Sequence, residues 1–309
     1  MKKLLIVALS LFVPAVLSAQ KTTVARPAIT GISHMSLYAD NIPKSETFYE
    51  SLFGWEQVPA QGAASGVRFY ANHLQYIELL SPPRPGMDNR LDSIGFTTSD
   101  AEALRKFLAA NGVAVPPTVR IEGNGSRSFF TRDPEGNRIE FTQTSVHPPK
   151  APKDISLRLS THIIHVGLVA RNRAALDRFY KDLLGFHLYW QGSAKPGPPD
   201  WVMMQVPDGT DWLEYMLYLP SQPSRGQLAS ANHFSPGVVS VAELNKRLIT
   251  RGWKPTAQER PPLLGLDGKW QLDLFDPDGT RVEFMEFKPA KTPCCSAFTG
   301  PLPGPLPGW

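Results

Sequence analysis

Cysteine is nearly absent: the 309 residues hold two, Cys294 and Cys295, adjacent in a proline-rich segment. Neighbouring cysteines make neither a C-x-x-C site nor a disulfide framework, so stability must come from the core. Long apolar runs are equally scarce. The one candidate, Leu4 to Val16, is too short to span a bilayer, and no later stretch is longer. With Lys2 and Lys3 before it and Ser18-Ala19-Gln20 after it, it reads as a secretory signal peptide over residues 1–19, cleaved near Ala19. The expectation is a secreted or periplasmic protein with no membrane span after cleavage. Charge of one sign is missing too. The formal +4 falls to +2 when the two signal lysines leave, and no Lys/Arg-rich stripe or aromatic-interleaved basic run exists. Nucleic-acid binding therefore has no electrostatic basis.

What remains is a soluble globular composition, 42% hydrophobic and 19% charged, long enough for two domains. The segment I-S-H-M-S-L-Y-A alternates as a strand, a helix follows from Pro43 to Leu52, and Gly54 stands where a C′ glycine ends a helix. Strands are expected at Val67 to Tyr70 and Leu74 to Leu80, closing a βαβββ-like unit at S-P-P-R-P-G. A second unit has the strand I-G-F-T-T, a helix from Ala101 to Asn111 and a hairpin from Ser128 to Thr142 turning at Asp133-Pro134-Glu135-Gly136. The pairs His34/His165, Tyr49/Tyr180 and Gly54/Gly185 are each 131 residues apart, and Asp276-Pro277-Asp278-Gly279 repeats the hairpin turn. The chain is a duplication. The α+β reading is of tandem βαβββ units forming two modules, residues 31–145 and 161–288. A proline-rich linker spans 146–160, and a Pro/Gly-rich tail at 289–309 is expected to be disordered.

Four residues of the second module stand in strand-like runs: His165, Glu214, His233 and Glu283. Two imidazoles and two carboxylates are a donor set that a borderline divalent ion accepts. Strand alternation puts Ile164, Val166 and Leu168 on the helix-packed face and His165 opposite, with Ile163 and Gly167. Glu214 lies with Trp212 and Met216, and Glu283 with Arg281 and Met285. Trp212, Met216 and Arg281 are the expected substrate pocket. Arg281 also offers a metal-free alternative, an ion pair with the buried acid.

The tandem units, the His in each opening strand, R-F-Y-K-D-L-L-G-F on the helix and D-P-D-G-T-R-V-E-F at the end resemble the vicinal oxygen chelate superfamily. That superfamily includes glyoxalase I, extradiol dioxygenases and bleomycin-resistance proteins. The resemblance covers residues 31–288. It implies a cupped eight-stranded sheet per module, with a divalent metal (Zn, Ni, Mn or Fe) held by His165, Glu214, His233 and Glu283. Glu214 or Glu283 would double as the catalytic base. The first module keeps His34, Glu78 and Glu140 but has Ser93 where His233 has its counterpart, so it reads as structural.

The same resemblance implies a small-molecule substrate in a monomer or homodimer. Glyoxalase-like lyase or isomerase chemistry on a substrate chelated through vicinal oxygens is the leading expectation. An Fe(II) extradiol-type dioxygenase acting on a phenol is the alternative. Against it, the tyrosine that such enzymes carry three residues before the last turn is Asp273 here, and P-P-L-L-G-L lacks their upstream histidine. A third class is a metal-free binder of small aromatic ligands, with Trp201, Trp212 and Trp270 as its pocket.

Overall fold

The computed structural model describes residues 25–60, 66–145 and 155–306. The expected signal peptide, most of the expected linker and the last three residues of the tail lie outside the described residues.

Each module is one eight-stranded sheet. The first contains β1 (Ile29–Tyr38), β2 (Glu56–Pro59), β3 (Gly66–Tyr70), β4 (Tyr76–Leu80), β5 (Leu91–Thr98), β6 (Arg120–Ile121), β7 (Arg127–Arg132) and β8 (Arg138–Gln143). Their order is β2-β3-β4-β1-β5-β8-β7-β6. The second contains β9 (Ile163–Val169), β10 (His187–Gly192), β11 (Trp201–Gln205), β12 (Trp212–Met216), β13 (Phe234–Val238), β14 (Leu263–Leu264), β15 (Trp270–Phe275) and β16 (Arg281–Glu286). Their order repeats the first, β10-β11-β12-β9-β13-β16-β15-β14. In both, the opening strand is central and pairs in parallel with the last strand of its own βαβββ unit. This central place brings donors from three strands and from the residue just before β13 toward one point.

The helices start on side-chain caps. Asn41 and Asn172 cap α1 (Ile42–Glu46) and α3 (Arg173–Asp177), each of which widens into a π-helical turn. Gly54 and Gly185 end them at φ +71° and +83°, in the left-handed region that favours glycine. Asp100 caps α2 (Ala101–Ala110), and Ser224 with Gln227 forms a capping box on α4 (Arg225–Ala231). Ser240 caps α5 (Val241–Thr250), which buries Val241, Leu244 and Leu248 on one side.

The modules share one hydrophobic core. Tyr49 of the first donates to Asp276 in the last turn of the second (2.9 Å), and Tyr180 of the second donates to Asp133 in the last turn of the first (3.2 Å). Each aspartate also accepts two backbone N–H bonds within its own turn, so the repeated D-P-x-G motif both builds the hairpin and docks the other module's helix. At the seam, Asp211 accepts from the Ile32 amide (2.9 Å) and pairs with His162 (2.7 Å).

Two expectations are corrected. The tail is not loose as far as it is described: Phe298 packs on Tyr189, Thr299 donates to the Tyr189 carbonyl, and Ser296 bonds both backbone groups of Gln191. These contacts cover β10, the exposed edge of its sheet, which would otherwise present unpaired backbone groups. Proline and glycine content alone hid that docking. Cys294 and Cys295 are joined as a disulfide, where the sequence suggested no bridge.

Candidate metal centre

His165, Glu214, His233 and Glu283 each bring one donor atom into a cluster whose members all lie within 4.8 Å of one another. All four are buried, the histidines fully and the glutamates to 5% exposure. Among the described residues no other group of three or more His, Cys, Asp or Glu gathers in this way. His165 Nε2 is 3.0 Å from His233 Nε2, 3.1 Å from Glu283 Oε2 and 3.8 Å from Glu214 Oε2. His233 Nε2 is 3.3 Å from both carboxylates.

Local structure explains the convergence. Between His165 and Ile163, two steps of β9 oppose a single step of β13, a bulge that interrupts the alternation. Ile163 therefore joins Val166 and Leu168 in the main core, while Ile164 packs in the second cluster with Trp212 and Met285. The face assignment of these two isoleucines from strict alternation is thus reversed. A matching irregularity lies between Ile32 and His34 in the first module, so the bulge belongs to the repeated unit. Opposite His233 stands Gly167, and a Cβ there would lie 2.1 Å from His233 Cε1. Only glycine leaves the imidazole its place.

The donor set fits a divalent cation on the tautomer of His233 as well as on composition. His233 Nδ1 lies 2.9 Å from the Ala231 carbonyl, which can only accept, so Nδ1 carries the proton and Nε2 offers a lone pair to the cluster. His165 stacks on Trp212 at 4.8 Å, which fixes its ring. Burial holds His165 below its ordinary pKa even against Glu283 and Glu214. For His233, burial and Arg281 act downward, but hydrogen bonds to Glu214 and Glu283 outweigh them and its pKa is raised. Burial opposes ionisation of Glu283, yet Arg281 and the two histidines hold its carboxyl well below the usual range.

Arg281 is the cluster's charge neighbour. Its Nη1 lies 3.3 Å from Glu283 Oε1 and its Nη2 lies 3.0 Å from His233 Nε2, while its Nε is anchored on the Ser230 carbonyl at 2.9 Å. It pairs with Glu283 as the metal-free alternative required. It does not bond Glu214, so it neutralises only one of the two acids.

The cluster opens into a cavity of about 340 Å³. Trp190, Trp201 and Met203 line one side and the loop from Leu263 to Asp267 another, with Glu214, Glu283 and Arg281 at the polar end. Of the three expected pocket residues, Arg281 is there. Trp212 and Met216 are not: Trp212 lies behind His165 as part of the wall, and Met216 is buried. Of the other two tryptophans, Trp201 lines the cavity, whereas Trp270 is 39% exposed and does not. Trp190, Met203, Arg260, Asp267 and Gln271 were missed. Their signal lay in hairpin register, which a single sequence does not display.

The first cup differs. His34 Nε2 lies 3.2 Å from Glu140, while Arg68 bonds Glu78 at 2.8 Å and approaches Glu122 at 3.4 Å. Arg120 pairs with Glu140 at 3.0 Å. A cavity of about 30 Å³ lies beside Arg68 and Glu122, and its lining includes none of His34, Glu78 and Glu140.

One curated relative is a manganese-dependent 2,3-dihydroxybiphenyl 1,2-dioxygenase of Geobacillus genomosp. 3. It is 26% identical over 176 residues, a stretch covering 52% of this chain and 55% of that protein. The chain thus spans about half the length of that relative. Among solved structures, the 2,3-dioxygenase LapB of Pseudomonas sp. KL28 aligns with a TM-score of 0.63 at 17% identity, over 87% of this chain and 97% of that one. The Mn(II)-bound glyoxalase of Novosphingobium aromaticivorans aligns with a TM-score of 0.63 at 21% identity, over 84% and 83%. The profile of the Glyoxalase/Bleomycin resistance protein/Dioxygenase superfamily matches residues 31–141 and 162–284, one stretch per module. The two cupped sheets, the repeated opening histidine and both matched stretches agree, and the chain belongs to that superfamily.

Proposed function

We propose that the protein is an exported, divalent-metal-dependent enzyme whose second cup carries out glyoxalase-like proton transfer on a small substrate with two vicinal oxygens. The observation that carries this reading is the fourth donor. His165, His233 and Glu283 would already make a two-histidine, one-carboxylate triad, yet Glu214 stands with them and lines the cavity. A cation held by these residues would supply a Lewis acid to the two oxygens.

The chain's own residues divide the remaining work. Arg281 keeps Glu283 ionised, which suits a permanent ligand and makes it a poor proton acceptor. Glu214 has no arginine bonded to it and faces the substrate space, so it is the group placed to take a proton from carbon and return it to the neighbouring carbon. Trp190, Trp201 and Met203 give a planar or apolar substrate a dry wall. Export rests on the leader-like first residues, and a bonded cysteine pair is consistent with an oxidising compartment.

The test is metal-dependent exchange of the α-hydrogen of a hydroxy-carbonyl compound in deuterated water, followed by NMR. Protein loaded with Mn(II), Ni(II) or Zn(II) should catalyse it, and Glu214→Gln should lose at least about 100-fold while still holding metal. The second reading, oxygen-dependent cleavage of a phenolic ring, is favoured by the dioxygenase relatives. Oxygen uptake with Fe(II) or Mn(II) and a catechol, without hydrogen exchange, would select it. The same result would remove the first reading.

A further inference from the structure

We propose that Asp267 is a substrate-binding residue of the second cup: it takes the proton that a substrate hydroxyl gives up on chelation. This deepens the reading above, on which it rests, and assigns the substrate class as one that enters with an un-ionised hydroxyl among its vicinal oxygens.

Asp267 sits in the turn between β14 and β15, in L-D-G-K, and lines the same cavity as Glu214 and Glu283. It is 1% exposed. Its two oxygens are unequal. Oδ1 accepts from the Lys269 amide at 3.2 Å and from Gln271 Nε2 at 3.5 Å, whereas Oδ2 is buried with no hydrogen-bond partner. A buried carboxylate oxygen left without a donor is costly unless a ligand supplies one.

The group behind it is equally unusual. Lys269 is fully buried and its Nζ makes no hydrogen bond. The ammonium lies 4.7 Å from the Trp212 ring, 5.0 Å from Phe298 and 5.9 Å from Tyr189. Aromatic faces stabilise a cation without donating to a carboxylate. Burial lowers the pKa of the Lys269 ammonium to about 8 although Asp267 and Glu283 raise it, so below that pH it supplies charge near Asp267 while leaving Oδ2 free. The other charged groups facing Asp267 are Glu283 from β16 and Glu214 from β12, with Arg281 and Arg260 lining the same space. Burial pushes the Asp267 carboxyl up to about 7 although Lys269 pulls it down. It is therefore ionised in mildly alkaline solution and basic enough to hold a proton.

The step balances without a co-reactant. The O–H bond of the substrate hydroxyl breaks, the proton forms an O–H bond on Asp267 Oδ2, and the electron pair stays on the substrate oxygen. Glu214 is left free for the carbon-bound proton.

Calorimetry of catechol binding to the Mn(II)-loaded full chain, in two buffers of different ionisation enthalpy, counts the protons released to solvent. At pH 8 the wild type should release about one fewer than Asp267→Asn, and the variant should bind catechol about tenfold more weakly. At a pH low enough to protonate Asp267 in the Mn(II)-loaded chain, the two counts should converge. Equal counts at pH 8, with catechol still bound only when Mn(II) is present, would overturn the role of Asp267 and leave the metal reading standing. Failure of the wild type to take up Mn(II) would sink both, and Mn(II) uptake without Mn(II)-dependent catechol binding would overturn the role of Asp267 alone. If Asp267→Asn fails to take up Mn(II), Lys269→Met decides. Loss of the ammonium should move the pH at which the proton deficit appears upward by about one unit, and an unmoved transition would overturn the proposal.

Discussion

The two cups share topology, register and bulge, and differ in what fills them. In the first, Arg68 stands opposite Glu78 on β3; at the matching place on β11, opposite Glu214, stands Met203. In the first, Ser36 faces Ser93; in the second, Gly167 meets His233. Glu78 and Glu140 of the first cup are neutralised by Arg68 and Arg120. The second keeps two acids and two imidazoles facing one another beside about 340 Å³ of space. The comparison teaches that the glutamates of these cups are held either by an arginine or by something brought from outside, and that few positions decide which. Restoring a histidine at Ser93 alone would not rebuild a site, because Ser36 stands where Gly167 makes room and Arg68 and Arg120 already hold the acids.

The largest effect expected from breaking this comparison is Met203→Arg. It copies the first cup's cation into the second, beside Glu214. Divalent-ion binding should fall below detection in calorimetry while far-UV circular dichroism stays unchanged. Retained binding would show that Arg68 is not what closes the first cup.

A smaller effect is expected from Gly167→Ala, whose methyl would meet His233 Cε1 at 2.1 Å. Metal affinity should weaken by about 10- to 100-fold, the range seen when the support of a ligand is disturbed. Gly95→Ala is the control: its methyl would meet His34 Nδ1 at 2.2 Å in the arginine-filled cup. It should lower the melting temperature and leave metal affinity alone. Loss of metal in both variants would merge two sites that the structure separates.

The last effect concerns the reciprocal Tyr–Asp ties and is read in stability rather than in metal affinity. Burial pushes the Asp276 carboxyl up to about 6, above the ordinary carboxylate range, although Thr280, Tyr49 and Asp278 donate to it. A folded-state pKa above the unfolded one adds stability below the unfolded value, and that stability is lost as pH rises through the folded value. Wild type relative to Asp276→Asn should therefore lose up to about 3 kcal/mol between pH 4 and pH 7, from a shift of about two units at about 1.4 kcal/mol each. Urea unfolding at several pH values reads it. A difference that grows with pH would contradict the assignment.

Much of the fold was legible because duplication doubles each weak signal: His34 with His165 and D-P-E-G with D-P-D-G mark corresponding elements. The gathering of the four donors followed from their separate strands and from their counterparts in the first half. Register was not legible, since Arg68 and Met203 look unrelated until each is set opposite its glutamate. The bulge before His165 also escaped a strict alternation, which misplaced Ile163 and Ile164. Trp212 was expected in the pocket because it shares a face with Glu214, but curvature puts it behind His165 instead. The tail was misread because its contacts depend on a backbone edge far away in sequence.

The central claim is that one cup of the two binds a cation, and elemental analysis of the purified chain beside His233→Ala tests it most directly. After loading with Mn(II) and removal of excess, the account predicts about one ion per wild-type chain and none in the variant. Two ions per chain, no ion in the wild type, or one ion retained in His233→Ala would contradict it.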